Sequence, residues 1–395
     1  MTVELKQVPE LSVEPKKEGR NLGVELFRVV AMLMVVYLHI IGYGGVLEAS
    51  EPLSANYKIA LLLQVLTYCA VNCYALISGF ANVKTDFKFR RIVYLWVETV
   101  FIITTLNVVM HFFVPGVTVS RAWWISGLFP LAHGELWYLC AYFFMFPLIP
   151  VLNKGLLSLN RWQHIAVIAI LQTPTVFYLL TQKNVYVLNK GYSAIWLICL
   201  YVIGAYFRIY GAPKWAKTFV TLPAFFLAAG MAYGFRIIAE IRVAAGEMDQ
   251  ASKWYEGRDA LIAYTSPLVV IMSVMLLLFF MQINVRGRVV KRIVLTLAKA
   301  TWGVFALHCC SPYLGAPKLW EYFPKIVAYA PMKMLLAFLG SGLLMYLALS
   351  VVSIGRDHLF KLLKVNKGID WVSDRLVHLM ESKKSPSDSP AQRER

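Results

Sequence analysis

The sequence has few charged residues for its length, and this scarcity excludes an ordinary water-soluble protein. Only 15% of its 395 residues are Asp, Glu, Lys or Arg, whereas 59% are hydrophobic. The apolar residues come in blocks of about twenty, which is the length that an α-helix needs to cross the hydrocarbon core of a bilayer. We therefore expect a polytopic membrane protein of the all-α class.

The sequence also lacks the cysteine spacing of a disulfide framework or a metal site. All six cysteines lie inside apolar blocks, so they are interpreted as small buried hydrophobic residues. Cys69 and Cys73 lie one helical turn apart, but no second Cys or His pair lies near them, and no metal is predicted. No nucleic-acid motif accompanies the net charge of +17, so we expect no nucleic-acid partner.

No signal peptide is predicted, because residues 1–21 are polar and the apolar block after them is too long and has no small-residue cleavage site. We expect residues 1–21 to form a polar cytoplasmic segment, residues 22–355 a membrane domain and residues 356–395 a basic cytoplasmic tail. The run KKSPSDSPAQRER predicts disorder at the end of that tail. Since no soluble catalytic domain is expected at either end, any chemistry is placed within or at the membrane.

About ten transmembrane helices can be placed on the apolar blocks, and the basic residues orient them. If the N-terminus is cytoplasmic, the inner segments hold 27 of the 39 Lys and Arg residues and the outer segments hold 11. Because Lys and Arg concentrate in cytoplasmic loops, this bias predicts that both termini are cytoplasmic. The predicted spans are 22–44, 57–81, 92–114, 135–152, 164–181, 193–210, 218–239, 262–283, 299–316 and 329–354.

The first span carries ionisable residues, which are costly in hydrocarbon and therefore indicate function. Arg28 and His39 lie eleven residues apart, a rise of about 16 Å that returns both side chains to nearly the same helix face. His39 is interpreted as a general base, although it could instead pack against a neighbouring helix. Arg28 suits an anion such as phosphate. Its alternatives are an ion pair with Glu25 or an extended conformation that reaches the inner headgroups.

The loop before the third span is basic, with Lys84, Lys88, Arg90 and Arg91. These residues could bind polyphosphate at the cytoplasmic face, or they could simply reflect the concentration of positive charge on that side. Glu98, two turns into the third span, has no evident partner in the sequence and could pair with Arg91 or with another neighbour.

Two further places hold candidate catalytic residues. The fourth span begins with His133, Glu135 and Trp137, which could orient His39 or bind a hydroxylated acceptor, with Trp137 as a platform. The alternative is an ordinary belt of aromatic residues at the membrane interface. His308 in the ninth span is a candidate of the same kind as His39, with the same alternative of structural packing.

Together these residues resemble the acyltransferase-3 family of membrane proteins, which O-acylate bacterial surface carbohydrates and related acceptors. The resemblance covers about residues 22–355. Its most specific element is the arginine, ten residues and histidine of the first span, here Arg28 and His39. Any one motif is weak, but their order and spacing together are specific. The motifs are GVELFRVVAMLMVVYLH, VNCYALISGF before a basic loop, ELWYLCAYFFMFPLIPVLNK, YVIGAYFRIY and WGVFALH, which holds His308.

The resemblance implies that cytosolic acyl-coenzyme A, usually acetyl-coenzyme A, supplies the acyl group in a bacterial plasma membrane. It also implies that His39 is essential and that Arg28 helps to bind the donor. Many members carry a second basic residue three positions after the arginine that enters the third span, whereas Tyr94 stands there in this chain. The choice among Lys88, Arg90 and Arg91 as donor ligands therefore stays open. No counterpart of the extra soluble domain of some members is found, so we expect the spans and loops to bind the acceptor.

The expected function is transfer of an acyl group from acyl-coenzyme A to a hydroxyl of a cell-envelope carbohydrate or lipid-linked sugar, and the resemblance implies that this group is acetyl. His39 would be the base or would carry the acyl group itself, and the sequence does not separate these routes. The main alternative is a secondary transporter, since intramembrane Arg, Glu and His fit that class too. A non-catalytic partner in envelope assembly and a succinyltransferase are further alternatives.

Overall fold

The computed structural model describes residues 20–132, 134, 136–181, 188–252, 257–314 and 317–382. These residues form helices and connecting turns, and no β-strand occurs among them. The expectation of an all-α protein is therefore confirmed for the part of the chain that the structure describes.

Helices of two turns or more are numbered α1 to α14 in chain order. They are α1 Leu22–Gly42, α2 Ala55–Tyr68, α3 Ala70–Asn82, α4 Arg90–Phe113, α5 Arg121–Leu128, α6 Trp137–Met145, α7 Ile149–Ser158, α8 Arg161–Thr181, α9 Ala194–Tyr210, α10 Thr218–Ala244, α11 Pro267–Met281, α12 Arg288–Cys309, α13 Pro331–Leu362 and α14 Val365–Ser382. Shorter helical turns are Phe146–Leu148, Asn189–Gly191, Gly257–Asp259, Ser311–Leu314, Pro317–Trp320, Tyr322–Lys325 and Ile326–Ala328.

Six helical stretches among the described residues are long and apolar enough to cross a membrane. They are Leu22–Gly42, Ala55–Asn82, Arg90–Phe113, Trp137–Ser158, Thr218–Ala244 and Pro331–Leu362. The other four predicted spans fall on α8, α9, α11 and α12. Of these, α9 and α11 are apolar but only 17 and 15 residues long. The structure thus supports a membrane-embedded protein, while the count of ten and the cytoplasmic placement of both termini stay predictions.

Helix α1 lies inside the bundle, where it packs against α2, α3, α11, α12 and α13. Its start is fixed by Asn21, whose side chain accepts a hydrogen bond from the Val24 N–H and so satisfies one of the free donors of the first turn. Phe27 is fully buried and stacks on Phe280 of α11, with ring centroids 4.9 Å apart. These contacts fix the rotation of α1, and with it the directions of Arg28 and His39.

Helices α3 and α9 approach each other closely through glycine. A Cβ atom on Gly79 would overlap the backbone carbonyl of Tyr201, and one on Gly204 would overlap that of Leu76. Small residues allow helix backbones to approach in a membrane, where van der Waals contact replaces the hydrophobic driving force. Gly79, near the end of α3, and Gly204 of α9 thus allow the two helices to pack backbone against backbone.

The helical structure extends further towards the C-terminus than the predicted end of the membrane domain at residue 355. Helix α13 continues past residue 355 to Leu362, and Arg356 within it is buried. Helix α14 then packs against α4, and Asp370 forms an ion pair with Arg90. The first turns of the expected tail thus belong to the helical body. The end of the tail, where disorder was predicted, lies outside the described residues.

Candidate active site

The C-terminal ends of α1 and α12 bring His39 together with His308 and Cys309. The Cys309 Sγ atom lies 3.4 Å from Nδ1 of His39 and 3.5 Å from Nε2 of His308. The two imidazole rings lie 5.0 Å apart between centroids. Two of the predicted catalytic residues, from opposite ends of the chain, are therefore neighbours in one cluster.

Backbone hydrogen bonding fixes the orientation of His308. Its side chain is fully buried, and Nδ1 contacts the carbonyl oxygen of Val304, one helical turn earlier. A carbonyl oxygen can only accept, so Nδ1 must carry the proton that it donates. The Nε2 atom of a neutral His308 is then an acceptor directed towards Cys309 and His39.

His39 faces a cavity of about 310 Å³, which we call the histidine cavity. Its wall is mainly aromatic, and Trp137 is part of it. The Trp137 ring lies 4.7 Å from that of Tyr192 and 6.2 Å from that of Tyr264 between centroids. A concave, mostly apolar site with few polar groups is typical of a small-molecule binding pocket. Its polar and aromatic lining residues are His39, Tyr43, Tyr74, Trp137, Tyr138, Tyr264, Thr301, Trp302, Phe305 and Cys309.

A second cavity of about 500 Å³ lies at the N-terminal end of α1, and we call it the arginine cavity. Arg28 lines it and lies 3.5 Å from a carboxylate oxygen of Glu25, so the predicted ion pair within the first span is formed. The Tyr74 hydroxyl donates a 2.8 Å hydrogen bond to the Arg28 carbonyl. Its charged lining residues are Arg20, Glu25, Arg28, Arg91, Glu98 and Arg208.

The two cavities share a wall. Tyr74, Tyr138 and Trp302 line both of them. Since Arg28 lines one cavity and His39 the other, the rise of about 16 Å between these residues along α1 spans the pair of cavities. A set of guanidinium groups thus lies on one side of three aromatic side chains, and an imidazole lies on the other.

An ionic network borders the arginine cavity and supplies the partner of Glu98. Of the two alternatives left open by the sequence, Arg91 or another neighbour, the structure has the second, because the Glu98 carboxylate pairs with Arg356 of α13. Arg356 also lies 2.9 Å from Asp357, which in turn lies 2.7 Å from the ammonium of Lys299. Buried charges require such pairing, because an unpaired charge in this environment is very costly.

The structure brings some of the predicted donor ligands together and leaves others apart. Arg91 lines the arginine cavity and donates a 3.1 Å hydrogen bond to Asn82. Lys88 is exposed and Arg90 pairs with Asp370, and neither lines the cavity. Glu135, a predicted catalytic residue, lies outside the residues that the structure describes, as does His133.

Several residues of the site were not singled out from the sequence. Arg208 was counted only as a basic residue of a cytoplasmic segment, although it lines the arginine cavity. Cys309 was interpreted as a buried apolar residue. The one local signal for it was its position directly after His308. Tyr74 and Tyr138 lie within the motifs VNCYALISGF and ELWYLCAYFFMFPLIPVLNK, but they were not singled out there, because tyrosine is common in apolar helices near an interface.

Apolar helices around two joined cavities, with cations in one and histidines in the other, define a membrane-embedded protein with an enzyme-like site. A family model described as "Acyltransferase domain" matches residues 21–355, which is most of the chain. The chain belongs to this acyltransferase-3 family and is a membrane acyltransferase, as its motifs had indicated. Neither the curated proteins nor the solved structures give a match to it.

Proposed function

We propose that this acyltransferase moves an acetyl group from cytosolic acetyl-coenzyme A to a hydroxyl of a cell-envelope carbohydrate or lipid-linked sugar in the plasma membrane of a bacterium. The observation that carries the proposal is the pair of adjoining cavities, with guanidinium groups in one and His39 in the other. A donor with an anionic head and a long neutral arm fits such a pair.

The arginine cavity would bind the phosphates of coenzyme A. Guanidinium groups match phosphate oxygens in planar, charge-assisted pairs, which are among the stronger hydrogen bonds in proteins. Arg28 and Arg91 contribute from α1 and α4, and Arg208 contributes from α9. If the N-terminus is cytoplasmic, as the charge distribution predicts, this cavity lies on the side where acetyl-coenzyme A is made available.

The pantetheine arm would pass between Tyr74, Tyr138 and Trp302 into the histidine cavity. The arm is long and neutral, so its transfer past the aromatic wall costs far less free energy than transfer of the phosphates, which stay with the arginines. The arm can pass only through a gap between these three side chains, whether the gap is present before binding or opens when the side chains move apart. This passage would place the thioester carbonyl beside His39.

His39 would then remove the proton of the acceptor hydroxyl, which attacks the thioester carbonyl while the coenzyme A thiolate leaves. In the covalent variant, His39 attacks the carbonyl first and passes the acetyl group to the hydroxyl in a second step. Trp137 would hold the face of a sugar ring against its indole, since it lines the same cavity as His39. The short separation between His39 and His308 would allow the second imidazole to orient the first.

The test is transfer from isotopically labelled acetyl-coenzyme A in membranes that contain the wild type, His39→Ala or His358→Ala. His358 is an exposed histidine on α13 and serves as the matched control. We expect coenzyme A release and label in the saccharide or lipid fraction for the wild type and the control, and the loss of both for His39→Ala. Equal label with His39→Ala would overturn the assignment of His39.

A membrane preparation with a competent acceptor pool that gives no label even with the wild type would contradict the proposed reaction. Uptake of an anionic or sugar-lipid substrate into vesicles would then be measured, because a transporter is the other class that intramembrane Arg, Glu and His fit. Label from succinyl-coenzyme A, but not from acetyl-coenzyme A, would keep the enzyme class and change the acyl group.

A further inference from the structure

His39, His308 and Cys309 form a group of potential metal ligands, and the sequence alone did not predict it. Their ligand atoms all lie within 4.8 Å of one another. The group combines two imidazole nitrogens with one thiol sulfur and contains no carboxylate. Such a set suits Zn²⁺, which takes His and Cys ligands in tetrahedral sites, and does not suit the oxygen-preferring ions Mg²⁺ and Ca²⁺.

The distances from Cys309 match the edges of a zinc tetrahedron. Zinc–sulfur bonds of about 2.3 Å and zinc–nitrogen bonds of about 2.0–2.1 Å place the sulfur and nitrogen ligands about 3.5 Å apart at tetrahedral corners. The observed separations are 3.4 Å to His39 Nδ1 and 3.5 Å to His308 Nε2. The two sulfur–nitrogen edges therefore already have the required length. The third edge, between the two nitrogens, is no longer than 4.8 Å, and a movement of the imidazole rings would bring it to about 3.3 Å, its length in a zinc tetrahedron.

The hydrogen bond of His308 is an independent observation that points to a ligand. A metal-bound histidine almost always donates its other N–H to a carbonyl or a carboxylate, which fixes the tautomer and the ring orientation. His308 makes this kind of contact through Nδ1 to the Val304 carbonyl, and its Nε2 faces the cluster. The lone pair of Nε2 is thus directed to the place where an ion would lie.

We propose that His39, His308 and Cys309 bind Zn²⁺ through Nδ1, Nε2 and Sγ, and that occupancy of this site inhibits acyl transfer. Coordination displaces the thiol proton to solvent and leaves a thiolate on the metal. The three protein ligands leave a fourth position for water. His39 and Cys309 both line the histidine cavity, so the ion lies at its wall.

Inhibition follows from the bonding of a neutral imidazole. When Nδ1 of His39 gives its lone pair to the metal, Nε2 must carry the ring proton, and the ring has no lone pair left to accept another. A zinc-bound His39 can therefore neither deprotonate a hydroxyl nor attack a thioester. This part of the proposal rests on the proposed function, whereas metal binding itself does not depend on it.

Binding is tested with Co²⁺, a spectroscopic substitute for Zn²⁺, on the purified metal-free full chain in lipid nanodiscs. We expect one Co²⁺ per chain with thiolate-to-cobalt charge-transfer absorption that Zn²⁺ removes. Cys309→Ser should lose this absorption and weaken binding by about tenfold or more, since even changes around a metal site cost that much. Cys310→Ala, next to it in sequence, is the matched control and should keep the absorption.

X-ray absorption of the wild-type protein with one equivalent of Zn²⁺ gives a second measurement that needs no variant. One sulfur at about 2.3 Å and two imidazole nitrogens at about 2.0–2.1 Å are expected. Coordination without sulfur, or charge-transfer absorption that persists in Cys309→Ser, would overturn the site.

Activity separates this proposal from the proposed function. Zn²⁺ should stop coenzyme A release by the wild type, a chelator should restore it, and Cys309→Ser should need about tenfold more Zn²⁺ if it is active. Zinc that binds at the cluster without slowing transfer would overturn the inhibition. Metal binding by a protein that transfers no acyl group would leave the site standing and contradict the proposed function instead.

Discussion

The chemistry of His39 depends on contacts that hold one side chain in one orientation. The ring of Tyr43, the residue that directly follows α1, meets the His39 ring edge-on at a centroid distance of 5.4 Å, and the His308 ring meets it from α12 at 5.0 Å. A general base must lie within hydrogen-bond reach of the proton that it removes. An imidazole flanked in this way keeps its direction towards the histidine cavity, which is what the proposed reaction requires.

Arg90 and Arg91 are sequence neighbours with different surroundings, and they offer a sharp test of donor binding. Arg91 lines the arginine cavity, whereas Arg90 is paired with Asp370. We expect Arg91→Gln to raise the KM for acetyl-coenzyme A by roughly tenfold, because a hydrogen bond to a charged group contributes about 1.5–3 kcal/mol. Arg90→Gln should change the KM by less than about twofold, because Arg90 does not line the arginine cavity. Loss of its exposed ion pair with Asp370 should also cost little stability. Steady-state kinetics of coenzyme A release measure both KM values.

Arg28→Gln should also raise the KM for acetyl-coenzyme A, because Arg28 lines the same cavity as Arg91. Arg242→Gln is the control, because Arg242 on α10 is exposed and lies outside the cavity, and it should leave the KM unchanged. A larger effect of Arg90→Gln than of Arg91→Gln would contradict the assignment of the arginine cavity to the donor.

Much of the first span was predictable from sequence, because it depends on local geometry. The helical repeat relates Arg28 to His39 and brings Glu25 within 3.5 Å of Arg28. The cluster around His39 was not predictable in this way. Cys309 is 270 residues away from His39 in the chain, so its position depends on how α1 packs against α12.

At the scale of helices, charge pairs join elements that are far apart in sequence. Glu98 of α4 pairs with Arg356 of α13, and Asp357 connects this pair to Lys299 of α12. The side chains of Glu98 and Arg356 are only 5% and 6% exposed. The network therefore fixes three helices beside the arginine cavity, and removing Glu98 or Arg356 leaves a buried charge without its full set of partners.

Removal of Arg356 should destabilise the protein more strongly than removal of Glu98. We expect Arg356→Ala to cost about 3–5 kcal/mol, because it leaves the buried Glu98 carboxylate without its partner. Glu98→Ala should cost less, because Arg356 keeps its ion pair with Asp357 at 2.9 Å. The double variant should cost less than the sum of the two, since residues in one ion-pair network are coupled. Denaturation midpoints in detergent measure all three.

The exposed Glu321–Lys325 pair is the control for this cycle, with side chains 66% and 67% exposed. Lys325→Ala should change stability by less than about 1 kcal/mol, as is usual for surface ion pairs. Strict additivity of Glu98→Ala and Arg356→Ala would mean that the two residues do not act as a pair.

The glycine contact between α3 and α9 gives a second prediction for helix packing. Gly204→Val should sharply reduce the yield of folded protein and its midpoint of thermal unfolding. The reason is that even the first side-chain atom meets the backbone of Leu76 and the helices must move apart. Size-exclusion chromatography and a thermal scan in detergent measure the two quantities.

Gly230→Val on α10 is the matched control, because a Cβ atom there meets open space. Gly230→Val should leave the yield and the midpoint of thermal unfolding nearly unchanged, because the valine side chain meets no neighbour there. The comparison is matched, since valine replaces glycine in both variants and only the surroundings differ. Equal losses in the two variants would show that helix propensity, rather than close packing, sets the effect.

At the scale of the whole molecule, function depends on two cavities that no local pattern predicts. The apolar blocks indicated the helical class and the membrane, and Arg28 together with the basic loop that carries Lys84, Lys88, Arg90 and Arg91 indicated an anion site. The wall shared by Tyr74, Tyr138 and Trp302 arises only when three parts of the chain, α3, α6 and α12, come together. Arg208 joins the anion site in the same way, from α9, which packs against α3 and α6.

The order of the cavities along α1 makes the direction of the reaction across the membrane testable. With a cytoplasmic N-terminus, acetyl-coenzyme A must enter from the cytoplasmic side, because its phosphates cannot cross hydrocarbon unaided. Sealed inside-out vesicles should therefore transfer label from added acetyl-coenzyme A, and sealed right-side-out vesicles should do so only after permeabilisation. Coenzyme A release, with vesicle orientation and sealing measured on the same samples, gives the comparison.

Transfer by intact right-side-out vesicles alone would place the arginine cavity on the outer side and so contradict the predicted orientation of the termini, without affecting the geometry of the site. Transfer by both kinds of sealed vesicle would contradict the one-sided entry of the donor. If only the inside-out vesicles transfer, the place where the label appears identifies the side of the acceptor. Label in the vesicle lumen would mean that the thioester enters from one side of the wall formed by Tyr74, Tyr138 and Trp302 and the acceptor from the other.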